Sequence, residues 1–459
     1  MIDRHCTSFL PLTFSFSIFF FTAASPYRAI CVPRMLILVI LLSAALVHVF
    51  CDQLVLVQLV FRHGDRAPMG GSTSPESEAY YFRGKEHLTN KGIDQARELG
   101  LSLKRRYADS GFFDARYIPS EVTFRSSASE RCLMTASAVA SAMFNQTESG
   151  QPTVVPIFTM PKDKDFVCVP RVQCPSVMRE MMKLLGLNGP TWKMADMLSE
   201  LFKQQSKRLN YTHTVGDRLN YFEPLFLEHE SGLAVPQWFN DDARKEADHL
   251  LDLTIDFLAG VNSFHNIKWI HTRSGKLLST ILKNNQKAAE KSLASRKFLA
   301  FSTHDVTIAA LLESMGIRKA ALSPQGRPAF TAAVVFELWK RNDTQHYIRV
   351  LYRRGPGFDE YRDLTKAVEG CGQHEFCPME VFSKSMQPFK HDHPDEICLS
   401  DVENDKNQKS RQMDEIQPVT ILFMVSTVIF AVLSFGLLFL LLHRRSSMDY
   451  KVEAMRSTD

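Results

Sequence analysis

At 459 residues, with 45% apolar side chains, the chain has room for one large domain or two and ample material for a core. The formal net charge is only +4 and the lysines and arginines are dispersed, with no basic block interleaved with aromatics. That distribution argues against nucleic acid as a partner.

The amino terminus holds two apolar runs, 9–24 and 35–50, separated by a short segment with Arg28 and Arg34. A membrane hairpin would leave the following domain in the cytosol, at odds with its cysteines and glycosylation sequons. The simpler reading takes residues 35–51 as the core of a secretory signal within a targeting segment 1–52, with translation starting at Met35 as the accompanying hypothesis. Retained residues before Met35 in the mature chain would sink that hypothesis.

Residues 54–61 are apolar but for Gln58 and rich in branched side chains, as in a central parallel strand buried on both faces. Directly behind them comes Arg62-His63-Gly64-Asp65-Arg66-Ala67-Pro68. Parallel strands present their carboxyl ends to ligands. Two guanidinium forks beside an imidazole form a site that can hold a phosphoryl group while the ring nitrogen attacks it. The competing reading is a surface turn with scattered charges.

Further along, 93–107 and 130–144 have helical patterns, while 121–124 and 153–158 read as short strands. Arg125-Ser126-Ser127-Ala128-Ser129-Glu130-Arg131 follows the first of these strands, which places Arg125 at a strand end. The stretch 176–291 carries no strong strand signal and reads as helical, broken by Pro190, Pro224 and Pro236. Its aromatics Trp192, Tyr221, Phe222 and Trp238 are core or pocket wall, core being the better reading for each. Another strand, 297–302, leads into Thr303-His304-Asp305 and a helix 306–315 closed by Gly316. Asp305 stands where a capping carboxylate would, but capping alone does not require His304 beside it. Residues 330–340 and 346–354 alternate as a hairpin.

Residues 399–418 are polar and unpatterned and read as a flexible stalk. The uncharged run 419–442 is long enough to span a bilayer, and His443-Arg444-Arg445 after it puts the tail 443–459 in the cytosol and everything upstream outside. Sequons at Asn145, Asn210 and Asn342 fall on that outer side. Tyr450-Lys451-Val452-Glu453 lacks the bulky apolar residue that tyrosine-based sorting signals carry three places after the tyrosine. Six cysteines lie outside, Cys132, Cys168, Cys174, Cys371, Cys377 and Cys398, an even count expected to form up to three disulfides.

Arg-His-Gly-x-Arg-x-Pro, a later Arg-Ser-x-x-x-[Asp/Glu]-Arg and a distal His-Asp, together with Leu88-Thr89, Gly92, Gln95, Leu99 and Gly100, resemble the histidine acid phosphatases over residues 54–398. This is the branch of the histidine phosphatase superfamily that includes lysosomal and prostatic acid phosphatases and phytases. The resemblance implies a mostly parallel α/β sheet sandwiched by helices, as in phosphoglycerate mutases, with a smaller helical cap over 176–291 inside a domain 53–398. It implies His63 as the nucleophile of a covalent phosphohistidine, and Arg62, Arg66 and Arg125 as phosphate ligands. His304 would be a further positive or hydrogen-bonding group, and Asp305 the acid that protonates the leaving alcohol. No metal and no cofactor is expected. Cys174 with Cys398 and Cys371 with Cys377 are the implied disulfides, leaving Cys132 and Cys168 to pair or stay free. Ala128 replaces an acidic residue common in the family and Val306 a common Thr or Asn, departures that bear on substrate preference.

The expectation is therefore a type I membrane acid phosphatase with its catalytic domain luminal or extracellular, in lysosome or endosome or at the cell surface. It would act on small phosphomonoesters or phosphoproteins, and the dimeric relatives imply a homodimer. Its rivals are a phytase-like or other selective phosphomonoesterase and a catalytically silent binding ectodomain.

Overall fold

The computed structural model describes residues 52–144, 151, 153–188, 193–209, 222–324, 326–341 and 345–456. Residues 1–51 of the segment 1–52 read as a targeting signal, the three sequon asparagines, Trp192 and Tyr221 lie outside them.

Among the described residues eight strands form one sheet in the order β3-β2-β4-β1-β5-β6-β7, with β8 also pairing β6. They are β1 Gln53–Arg62, β2 Val122–Ser127, β3 Ile157–Met160, β4 Phe298–Thr303, β5 Ala333–Arg341, β6 Gln345–Arg353, β7 Arg362–Asp363 and β8 Cys377–Pro378. The sheet is mixed: β3, β2, β4 and β1 run parallel, whereas β5 pairs antiparallel with β1 and the hairpin continues that sense. Half of the expected parallel environment of β1 is thus antiparallel, because the chain reaches β5 from the same sheet edge at which β1 ends. Parallel register aligns Arg62 with Thr303 and Ser126 with Ser302. The carboxyl ends of β1, β2 and β4 therefore share one edge.

Alternation along β1 feeds two cores. Val57, Leu59 and Phe61 pack with Ala96, Leu99 and Leu103 of the helix Asn90–Leu103 and Ala136, Val139 and Ala140 of the helix Glu130–Met143. Leu56 and Val60 pack on the other face with Leu277, Leu278 and Ile281 of the helix Lys276–Ala289 and Ile308 and Leu311 of the helix Asp305–Ser314. Gln58 shares that face. Its amide donates to Ile281 O at 3.0 Å and Asn285 Oδ1 at 2.8 Å and accepts from Asn284 at 2.8 Å, so a buried polar side chain is satisfied rather than stranded.

The described residues of 176–291 are mostly helical, but the last helix, Lys276–Ala289, belongs to the sheet's own covering layer. The described part nearest the sheet edge is formed by the helices Phe222–Glu230 and Asp241–Ala259. Cys371 and Cys377 are bridged, and Cys174 and Cys398 are each disulfide-bonded. Cys132 and Cys168 are reduced and buried.

Cys398–Asp459 forms a second compact unit, helical to the end of the helix Pro394–Arg456. Residues 399–418, read as an unpatterned stalk, are helical too. They are rich in Lys, Gln, Glu and Arg, good helix formers, and they adjoin an apolar helix that already carries the nucleation cost. Within that helix Thr420–Arg445, 26 residues of mean hydropathy 2.6, is long and apolar enough to cross a membrane.

Candidate active site

The loop after β1 keeps its shape by backbone-to-backbone contact. A Cβ on Gly64 would lie 2.4 Å from Gly92 O, and one on Gly92 would lie 2.2 Å from Asp65 O. Thr89 caps the helix Asn90–Leu103 by accepting from Gly92 N at 3.0 Å, and its hydroxyl donates to Asp65 Oδ2 at 2.6 Å. Gln95 Oε1 accepts from Asp65 N at 2.8 Å. The Leu88–Gly100 motif is thereby explained as the support of the nucleophile loop. We expect Gly92→Ala to destabilise the domain by about 3 kcal/mol or more, with activity lost in proportion to the folded fraction in a thermal melt.

A cavity of about 820 Å³ opens over this loop, lined by Arg62, His63, Arg66, Arg131, His304 and Asp305 at its floor. His63, 2% exposed, directs Nδ1 at Gly64 O, 2.8 Å away. Donation there places the proton on Nδ1 and leaves the Nε2 lone pair free. Burial, then the charges of Arg62, Arg131, His304 and Arg66, hold its pKa well below the ordinary histidine value. The ring therefore stays neutral in mild acid.

Arg62 donates to Pro328 O at 2.7 Å and pairs with Asp305 Oδ2 at 2.6 Å, its Cζ 4.2 Å from the Phe330 ring centroid. Its Nε is buried without a partner among the described residues. Arg66 donates through Nη1 to Ala67 O at 3.0 Å and Glu223 Oε1 at 2.7 Å. Asp305 is the first residue of its helix, and Oδ1 accepts from Val306 N at 2.8 Å. Burial pushes its carboxyl up, but Arg62, with smaller pulls from His304 and Arg66, more than offsets this and holds it below the usual carboxylate range. His304 precedes it, its pKa lowered to about 3 by burial and by Arg131. Of the two roles open to His304, a neutral hydrogen-bonding group is the one this environment favours.

Arg125 is not brought to this site. Its guanidinium pairs with Asp165 Oδ1 at 2.8 Å, which also accepts from Val167 N and Cys168 N, and it is absent from the cavity lining. The reason is strand length: β2 runs on to Ser127, so Arg125 lies inside the strand rather than at its end. Arg131, in the first turn of the helix Glu130–Met143, lines the cavity instead. It pairs with Glu86 at 3.2 Å, and its Nε is buried and unpartnered among the described residues. The sequence carried two signals for Arg131, its place as the closing residue of the second motif and its position at a helix start following a strand, where anions bind.

Glu223 went unnoticed in the sequence. It holds Arg66 with one oxygen and Met69 N with the other, at 2.9 Å, while Glu228 of the same helix accepts from Thr73 N at 2.8 Å. That helix pins the loop behind the nucleophile. Removing the clamp by Glu223→Ala should raise KM for a phosphomonoester about tenfold with a smaller change in kcat, read from steady-state kinetics.

A buried neutral imidazole among arginines at the carboxyl edge of parallel strands defines a phosphoryl-transfer site. Comparison with known proteins agrees: the chain belongs to the histidine phosphatase superfamily (branch 2), whose sequence model matches residues 53–353. Within that superfamily its relatives are acid phosphatases, and so is this enzyme. It is 33% identical to "Putative acid phosphatase 1" of Caenorhabditis elegans over 81% of this chain and 87% of that one. It is 27% identical to the lysosomal acid phosphatase of Xenopus laevis, over 79% and 82% respectively. The crystal structure of Klebsiella sp. ASR1 phytase shares the fold, with a TM-score of 0.52 at 18% identity, covering 75% of this chain and 97% of that one.

Proposed function

We propose that this acid phosphatase hydrolyses phosphate monoesters through a phosphohistidine on His63. The observation that carries this reading is the free Nε2 of a neutral His63 facing the same cavity as Arg62, Arg66, Arg131 and Asp305. Nε2 attacks phosphorus as the bond to the leaving oxygen breaks, and Asp305 gives that oxygen its proton. The Asp305 carboxylate then takes a proton from water, which attacks phosphorus and breaks the P–N bond, returning neutral His63 and inorganic phosphate. The three arginines hold the phosphoryl oxygens, and His304 donates a hydrogen bond to one of them.

Paired with Arg62, Asp305 is ionised, so its proton must arrive with the substrate. A phosphomonoester has a second pKa of about 6. Its monoanion brings one proton, and its charge takes over Arg62 from Asp305. Turnover should therefore fall as pH rises through about 6, when the monoanion is lost. It should persist well below the ordinary histidine pKa, because His63 stays neutral. A pH profile of kcat/KM with p-nitrophenyl phosphate checks this. Asp305→Asn tests the acid role: it should cost an alkyl phosphate about 10²–10⁴-fold in kcat and p-nitrophenyl phosphate, whose leaving group needs little help, far less. Equal losses would contradict that role.

Phe226, Leu251, Ile255 and Leu258 give the cavity an apolar wall. Its cations are largely engaged: Arg62, Arg66, Arg244 and Arg327 pair with Asp305, Glu223, Glu230 and Asp248. That composition favours a single phosphoryl group on an apolar body, small molecule or phosphoprotein, over the polyanion of a phytase-like reaction. The apolar helix Thr420–Arg445, with Arg444 and Arg445 at its carboxyl end as a positive-inside signal, supports a type I orientation with the catalytic domain luminal or extracellular, in lysosome, endosome or cell surface.

A further inference from the structure

His304 must present a proton to the phosphoryl group, and a neutral imidazole has only one. Its placement is decided by what the other ring nitrogen meets. Ser127, the last residue of β2 and fully buried, sets its Oγ 3.1 Å from His304 Nε2. Ser129 N lies 3.4 Å from the same oxygen and donates to it, so a lone pair of Ser127 is engaged and its hydroxyl proton is available. The alternatives for that proton are His304 Nε2, Ser129 Oγ at 3.4 Å, and the sulfur of Cys132, a weak acceptor with which Ser127 also hydrogen-bonds. The most basic of these acceptors is the imidazole, and it is closer than Ser129 Oγ. Cys132 does not compete as a donor: its thiol donates to Thr303 O at 3.6 Å and its sulfur stands 3.7 Å from Nε2 and 4.0 Å from Nδ1.

We propose that Ser127 is a positioning residue that donates to His304 Nε2, fixes the imidazole as the Nδ1–H form and so directs its one proton to the transferring phosphoryl group. The inference rests on the reading of His304 as a phosphoryl donor. Ser127 reaches the site because β2 extends to the shared edge, where the same extension withdraws Arg125. Without its hydroxyl the ring is free to carry the proton on Nε2, toward the Cys132 sulfur, where it does nothing for the substrate.

The test is a double-mutant cycle in the full-length, detergent-solubilised enzyme with p-nitrophenyl phosphate. Ser127→Ala should lower kcat about tenfold with little change in KM, and Ser127→Thr, which keeps the hydroxyl, should restore kcat to within about twofold. In a His304→Ala background, Ser127→Ala should cost nothing more. Additive losses, or a Thr variant as slow as the Ala variant while melting like the parent, would overturn the inference and leave the role of His304 standing. A His304→Ala enzyme with full turnover would instead remove the reading beneath it.

Discussion

Replacing His63 by Ala should lower kcat for p-nitrophenyl phosphate by about 10⁴-fold or more, without loss of the folded state. The nucleophile is a single atom, Nε2, and no other group lining the cavity floor substitutes for it. Cys132 is close but buried, its thiol pushed up to about 12 by burial, and its proton is directed at Thr303 O. Oxyanion stabilisation by the arginines would remain, so binding of inorganic phosphate should survive in the variant. Among the described residues the ring makes only one hydrogen bond, to the neighbouring carbonyl of Gly64. The alanine variant should therefore melt close to the parent, and a melting curve beside the kinetics separates chemistry from collapse.

The second large effect contrasts two arginines six positions apart. Arg131→Ala should cost about 10²–10³-fold in kcat/KM, because a guanidinium aimed at the phosphoryl oxygens is lost from a buried site. Arg125→Ala should leave kcat/KM of the folded enzyme essentially unchanged and lower stability by about 1–3 kcal/mol, the cost of stranding one buried partner of a pair. Asp165 is that partner, with no exposure to solvent and, among the described residues, only Val167 N and Cys168 N left to satisfy it. Kinetics and thermal melts of the two variants, run side by side, check the contrast. If Arg125→Ala were the slow enzyme and Arg131→Ala the unstable one, the assignment would be reversed.

That contrast marks how far the sequence could be read. The first motif was legible because its pattern is local: a run of apolar side chains ending in a charged, glycine-containing turn fixes both the strand and the edge at which its residues emerge. His304 and Asp305 were legible for the same reason, a strand and a helix meeting around two polar residues. Arg125 was misplaced because strand ends are uncertain by a few residues, and in a strand even one residue changes the direction of a side chain. Glu223 could not be read at all. It meets Arg66 across 157 positions and belongs to a helical stretch without a motif, so only the fold brings the two together. Gln58 is the opposite case, a polar interruption that looks like noise in the strand and is explained by Asn284 and Asn285 of the covering helix. The stalk was misread because composition without periodicity resembles disorder, whereas helix propensity and an adjoining apolar helix suffice to order the backbone.

The account's central claim is the covalent intermediate, and the most direct measurement is to trap it. The full-length enzyme would be mixed with a radiolabelled phosphomonoester at acidic pH, quenched in alkali within milliseconds, and digested for mass spectrometry. The prediction is an alkali-stable, acid-labile phosphoryl group on His63, formed and lost at rates that match turnover and absent from His63→Ala. Turnover with no phosphorylated residue, or with the label on any residue other than His63, would contradict the account.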